Sequence, residues 1–262
     1  IRRYTSPGTF LLYGHAAALT VAAAGVAAGV EEHSDYVHAP LGRLRATVES
    51  GIMLVFGNEE ESLAMARHLY RFHQTVTGRH DGVDYAANSL TLQRWVLACA
   101  YKGAIEEGIT RWGRPLSEEE HARLYGDVLT FAIAFGVRGM PATRDEMNRY
   151  WEEMLADPDL LRTEASRRHM ATVLRPLDTS LPRPLARLFG AISVTSLDPR
   201  LGDRLGIRPT VADRRIAAAV DLLMRGYERL PRGLRGAVLS AALAVIRRRR
   251  RGAVHAGGAL PR

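Results

Sequence analysis

The sequence is poor in cysteine, in lysine and in aromatic residues, and each shortage closes off a class of protein. Cys99 is the only cysteine in 262 residues, so no disulfide within the chain is possible and a reducing setting fits. Lys102 is the only lysine, so the formal charge of +8 rests on arginine. Aromatic residues are 7% of the chain, and the arginines are scattered rather than interleaved with them. That is not the pattern of a stacking platform, and no nucleic acid is expected as a partner. No apolar run reaches the ~18 to 20 residues of a membrane-spanning helix. The opening stretch IRRYTSPGTFLLYGH lacks the apolar core and cleavage site of a secretory signal, and a cytoplasmic location is expected. Gly-x-Gly-x-x-Gly, the P-loop, Gly-x-Ser-x-Gly, His-Glu-x-x-His and Cys-x-x-Cys are all missing. Their absence argues against nucleotide-binding, serine-hydrolase and the common zinc chemistries.

What the sequence does contain is helix signal. Hydrophobic residues are 47% and charged residues 24%, ordinary for a globular protein with a substantial core. AAALTVAAAGVAAGV (16–30) reads as a small-residue helix or helix pair. Pro40 opens a helix with Leu41, Leu44, Val48, Ile52 and Val55 on one stripe, and Gly57 closes it. Asn58 with Glu61 starts the next as a capping box, and Gly78 is expected to end it. GRHDGVDYAANS (78–89) reads as a loop. Ser89, Ser117 and Thr143 each cap a further helix, and RPLDTSLPRP (175–184) is a proline-rich joint before helices near 185–195, 211–229 and 233–250. The expected fold class is all-α. A core domain spans 1–176, C-terminal helices over 177–250 pack on it, and 251–262 forms a disordered basic tail.

Polar groups gather in GVEEHSDYVHAPLGRLRATVESGIMLVFG (29–57), just before the apolar part of a helix. Arg43 and Thr47 are four residues apart and share a helix face beside the apolar stripe. A guanidinium and a hydroxyl so placed suit an anion or a bound oxygen species, or a core-edge arginine with its head in water. On the next helix His73 continues the stripe Leu63, Ala66, Leu69 and Tyr70. A buried imidazole needs a partner, which can be a carbonyl, a carboxylate or a metal. The one Glu-x-x-His, Glu118 to His121, lacks the second copy and the further glutamates of a di-iron bundle.

Taken in order, VAAGV-x-EHS (26–34), PLGRLRAT (40–47), VFG (55–57), H-x-x-V-x-G (73–78), Y-x-A (85–87), WV (95–96) and PLS-x-E-E resemble the MpaB-type oxygenase family, which includes the latex-clearing rubber oxygenases. EEMLADPDL (152–160), LRP (174–176) and LDPRLGDRLGI (197–207) extend the resemblance over nearly the whole chain. It implies an all-α, globin-like arrangement that binds haem b and uses dioxygen. By order and spacing it puts Arg43 and Thr47 near the haem and His73 on the iron. Ala28, with Ala27 and Gly29, would let a helix approach the macrocycle, and His33 with Glu32 would form a supporting network.

Two departures stand out. Where many members have His-Pro before VAAGV this chain has Ala23 and Ala24, and where many read Trp-Val-His it has Leu97. The function expected is a haem-dependent oxygenase acting on a hydrophobic or amphipathic small molecule, by C=C cleavage or another oxidation. Leu54, Phe72, Trp95, Phe131 and Trp151 are expected around its pocket. The alternatives are a non-haem iron oxygenase using His33, His73, Glu32 or the Glu118–His121 pair, and a non-catalytic haem- or lipid-binding protein. GLRGAVLSAALAVIRRRRR, beginning at residue 233, is basic and amphipathic enough for peripheral membrane contact.

Overall fold

The computed structural model of the chain describes residues 7–34, 39–179 and 181–231, together with residues 234, 235, 237, 240, 241 and 243–248. The fold is all-α apart from one small hairpin. After a 3-10 turn over Pro7–Leu12, α1 (Tyr13–Thr20) and α2 (Ala24–His33) replace the single run of small residues. The two segments bend by 106° at the break. Carbonyl groups freed at that bend are not left bare. Trp95 Nε1 donates to Thr20 O at 3.2 Å and the Leu161 N–H donates to Ala22 O at 2.9 Å. No single helix among the described residues is long and apolar enough to cross a membrane.

α3 (Pro40–Phe56) and α4 (Glu59–Gln74) follow as a helical hairpin joined at Gly57 and Asn58. Both halves of the expected capping box form, with Glu61 N donating to Asn58 Oδ1 at 2.8 Å and Asn58 N to Glu61 Oε2 at 2.9 Å. The stretch expected to be a loop instead pairs as antiparallel strands β1 (Thr77–His80) and β2 (Val83–Ala86). Asp81 and Gly82 turn the corner with φ of 47° and 77°, as a two-residue hairpin requires. Gly78 therefore lies within β1 rather than ending α4, whose last residue is Gln74.

α5 (Leu90–Ala100) runs through one π-helical turn at Tyr101–Glu106 into α6 (Glu107–Trp112). Then come α7 (Glu118–Ala134), α8 (Arg144–Ala156), α9 (Glu164–Leu174), α10 (Arg183–Thr195), α11 (Pro199–Leu205) and α12 (Val211–Glu228). The main core joins Leu19 and Ala22 to Trp95, Leu155, Met170 and Val194, so α10 shares a core with α1, α5, α8 and α9. A second cluster, with Leu12, Trp112, Ile192 and Val220, ties in α12. The α3–α4 hairpin has its own cluster of Ile52, Met53 and Met65, closed by Phe10 and by Ile246 from the C-terminal stretch. Residues 251–262, read as a basic tail, lie outside the described residues.

The five residues expected to line one pocket fall into separate clusters. Trp95 stacks on Trp151 in the main core with ring centres 5.4 Å apart, and Phe131 pairs with Phe135 at 4.8 Å. Leu54 belongs with α3–α4, and Phe72 with the β-hairpin. Periodicity told which face each turned inward, but not which other helix it would meet.

Candidate functional site

Polar side chains converge where the last turn of α2 meets the β-hairpin. Tyr85 is buried and donates its hydroxyl proton to Glu32 Oε2. His33 Nε2 lies 2.9 Å from the same hydroxyl. Because the Tyr85 proton goes to Glu32, His33 is the donor in that bond and carries its proton on Nε2. His80 Nδ1, on β1, reaches Glu32 Oε1 at 3.2 Å. The hydrogen bond to Glu32 pushes Tyr85 up to about 12, and the Tyr85 and His80 bonds hold the Glu32 carboxyl below its ordinary value. On the other side of the same turn, Glu31 meets α9. Its carboxylate lies 2.5 Å from Arg168 and 2.6 Å from His169 Nε2. Burial pulls His169 down more than Glu31 lifts it.

The local backbone explains why Tyr85 can reach α2. In the strand register Gly78 is paired with Tyr85. A Cβ on Gly78 would stand 2.6 Å from the Tyr85 hydroxyl. The glycine therefore leaves room for the ring to fold across its own hairpin toward Glu32. Ala28, Val76 and Tyr85 form a small buried cluster, with Phe72 and Val83 against it. The structure thus brings His33 and Ala28 together with the end of α4. Ala28, 3% exposed, packs in this cluster against Val76 and Tyr85. The β-hairpin fills the space that small residues left open.

His73 is half-buried in the last turn of α4, beside Phe72. The apolar stripe that leads to it runs through buried Met65 and Ala66, while Tyr70 turns outward at 49% exposure. Arg43 and Thr47 stand in the first half of α3, so they and His73 occupy the two open ends of one helical hairpin. Thr47 is exposed and Arg45 pairs with Glu49 at 3.8 Å. A Cβ on Gly42 would meet nothing within 4 Å. The second half of α3 differs, since Gly51 packs on Tyr13 and Ile52 and Met53 are buried. The second half of the helix is therefore packed, while Gly42, Arg45 and Thr47 in its first half are exposed. The Arg43 side chain lies outside what is described.

The catalytic-domain model of the family described as ER-bound oxygenase mpaB/B'/rubber oxygenase matches residues 2–229. The chain belongs to this family. Its class is therefore that of an oxygenase catalytic domain, an oxidoreductase that uses dioxygen. No curated protein and no solved structure matches the chain.

Among the described residues no three His, Cys, Asp or Glu side chains come together as metal ligands. A haem takes as little as one imidazole from the protein, and His73 stands in the last turn of α4. Glu118, in the Glu-x-x-His pair, has a side chain 91% exposed and 3.9 Å from Arg144, as a helix-start acid would.

Two polar arrangements escaped the sequence reading. Lys102 pairs with Glu106 across the π-helical turn and donates to Asn148 at 2.9 Å, while Arg144 reaches Glu106 at 3.1 Å. Burial alone would raise the Glu106 carboxyl, but Lys102 and then Arg144 hold it below its ordinary value. His15 is the other, buried in α1 with Nδ1 donating to Ser193 O at 3.1 Å. Neither belongs to a recognisable motif. The Asp81–Gly82 pair, by contrast, was a legible hairpin signal that would have led to Tyr85 and His80.

Proposed function

We propose that the chain binds haem b through His73 and uses dioxygen to oxidise a hydrophobic or amphipathic small molecule. The observation that carries the reading is membership of the oxygenase family over residues 2–229. It is supported by the position of Arg43 and Thr47 near the start of α3 and of His73 near the end of α4, at the open ends of one helical hairpin. Haem, when bound, supplies the dioxygen chemistry that protein side chains lack. His73 would hold the iron through an imidazole nitrogen. Arg43 contributes a fixed positive charge and directional N–H donors for an anionic or oxygen-bearing group. Thr47, one turn further on, orients that group with its hydroxyl. The His80–Glu32–Tyr85–His33 chain ties the end of α2 to the β-hairpin, with the Tyr85 hydroxyl donating to Glu32. Its position against Phe72 makes it the support of the helix end that carries His73.

The test is the ultraviolet–visible spectrum of protein expressed with a haem precursor, backed by a pyridine haemochrome assay. Wild type should show a Soret band at one haem per chain, and His73→Ala should lose or shift it. A wild type that stays colourless and resists reconstitution sinks the proposal. Haem bound equally well by the variant moves the ligand away from His73.

A further inference from the structure

α10 and α12 pack on one another and turn their outer sides to solvent. On α12 the outward residues include Val211, Leu222 and Leu223, which are 59%, 74% and 72% exposed. Between the helices lie clefts of about 400 and 450 Å³ that share Arg187 and Ile216, with Leu185 and Leu188 along the rim. Ile216, Ala219 and Leu223 recur at helical spacing, so the apolar lining of the clefts continues along α12. Apolar side chains thus stand in water along the length of one face.

The charge on that face has one sign. Arg183 and Arg187 on α10 and Arg215 and Arg229 on and just after α12 are exposed, and none has an acidic partner among the described residues. The three acids of the two helices are already paired, Glu228 with Arg235 at 2.5 Å. Asp213 completes the capping box with Thr210, accepting from Thr210 N at 2.8 Å, and lies 3.0 Å from Arg175, while Asp221 accepts from Arg111 at 2.6 Å and from Trp112 at 2.8 Å.

We propose that the α10–α12 face docks the protein on an anionic phospholipid surface. Leucines set in a field of uncompensated guanidinium groups match the boundary between acyl chains and acidic headgroups. A second copy fits poorly, because joining two such faces would bring arginines together with no acid to separate them. A nucleic acid would engage the arginines and leave the leucines in water. The C-terminal stretch is a separate matter. There Ile246 is buried against Ile52, Met53 and Met65, and Arg247 pairs with Glu61 at 2.8 Å. Docking does not depend on haem, so it can fail or hold independently of the spectrum above. It deepens that reading by bringing the enzyme to where hydrophobic substrates dissolve.

The experiment is co-sedimentation of the full chain with vesicles of phosphatidylcholine alone or mixed with phosphatidylglycerol, at low and high salt. The chain should pellet with the anionic vesicles, stay in solution with the zwitterionic ones, and come off as salt rises. The pairs Leu222→Ser with Leu223→Ser, and Arg183→Gln with Arg187→Gln, should each lower the partition coefficient on the order of tenfold or more. Ile133→Ser, which removes a 73% exposed residue from α7, should leave it unchanged. All these side chains are exposed, and matching melting curves would show that the variants fold. No pelleting, equal pelleting on both vesicles, or variants that pellet like wild type would overturn the proposal. So would a dimer that only the leucine pair dissolves, or oligonucleotide binding that only the arginine pair abolishes, if either comes without lipid binding.

Discussion

His15 lies inside α1, 4% exposed, with its ring held to the Ser193 carbonyl. Burial pulls its pKa down to about 4, against a smaller upward pull from that hydrogen bond. In the unfolded chain the group titrates near its ordinary value of about 6.5. As pH falls between those two values the unfolded chain takes up a proton that the folded one refuses, so stability falls with it. The loss should approach about 3 kcal/mol by pH 4. Urea denaturation of wild type and His15→Asn at pH 7, 5.5 and 4 would measure it. The variant should lose that part of the acid slope, and an unchanged slope would contradict the assignment.

The β-hairpin is the element that makes the candidate site. Its strands are four residues each and β1 is mostly exposed, so its value lies in presenting Tyr85 and His80 to the end of α2. Gly78 is the residue on which that depends, because any side chain there would meet the Tyr85 hydroxyl. Gly78→Ala should therefore separate Tyr85 from Glu32 while both side chains remain. NMR titration should then show the Glu32 carboxyl rising and the Tyr85 hydroxyl falling toward their ordinary values. If both stay where they are in wild type, the ring has another route to α2.

Across the whole molecule, packing is shared between the N- and C-terminal helices, since Val194 and Leu201 sit in the same core as Leu19 and Trp95. Within this assembly, the Lys102–Glu106–Arg144 cluster ties the π-helical turn to α8. Lys102→Met should leave Glu106 with a single cation in a mostly buried place and cost about 2 kcal/mol, less than a fully orphaned charge because Arg144 remains. Denaturation at pH 7 is the measurement, and a loss below about 0.5 kcal/mol would mean Arg144 alone suffices. The depressed Glu106 carboxyl contributes stability above its unfolded value near 4.3 and loses it as pH falls further.

The sequence by itself determined what a few neighbouring residues can decide. Pro40 opens α3, and Asn58 with Glu61 and Ser117 with Glu120 open α4 and α7, because a cap is complete within one helical turn. The ordered motifs also placed the chain in its family, whose model spans residues 2–229. Only the tertiary structure decided which side chains meet. His33 and Glu32 find Tyr85 across separations of 52 and 53 residues, and Glu31 finds Arg168 across 137. Ala28 was legible as a small residue on an inward face, but that Tyr85 and Val76 would cover it was not. Nor could periodicity show that Leu222 and Leu223 remain in solvent. Helical spacing gives the direction of a side chain relative to its own axis, and the bends, crossings and strand register that bring distant faces together are set by packing.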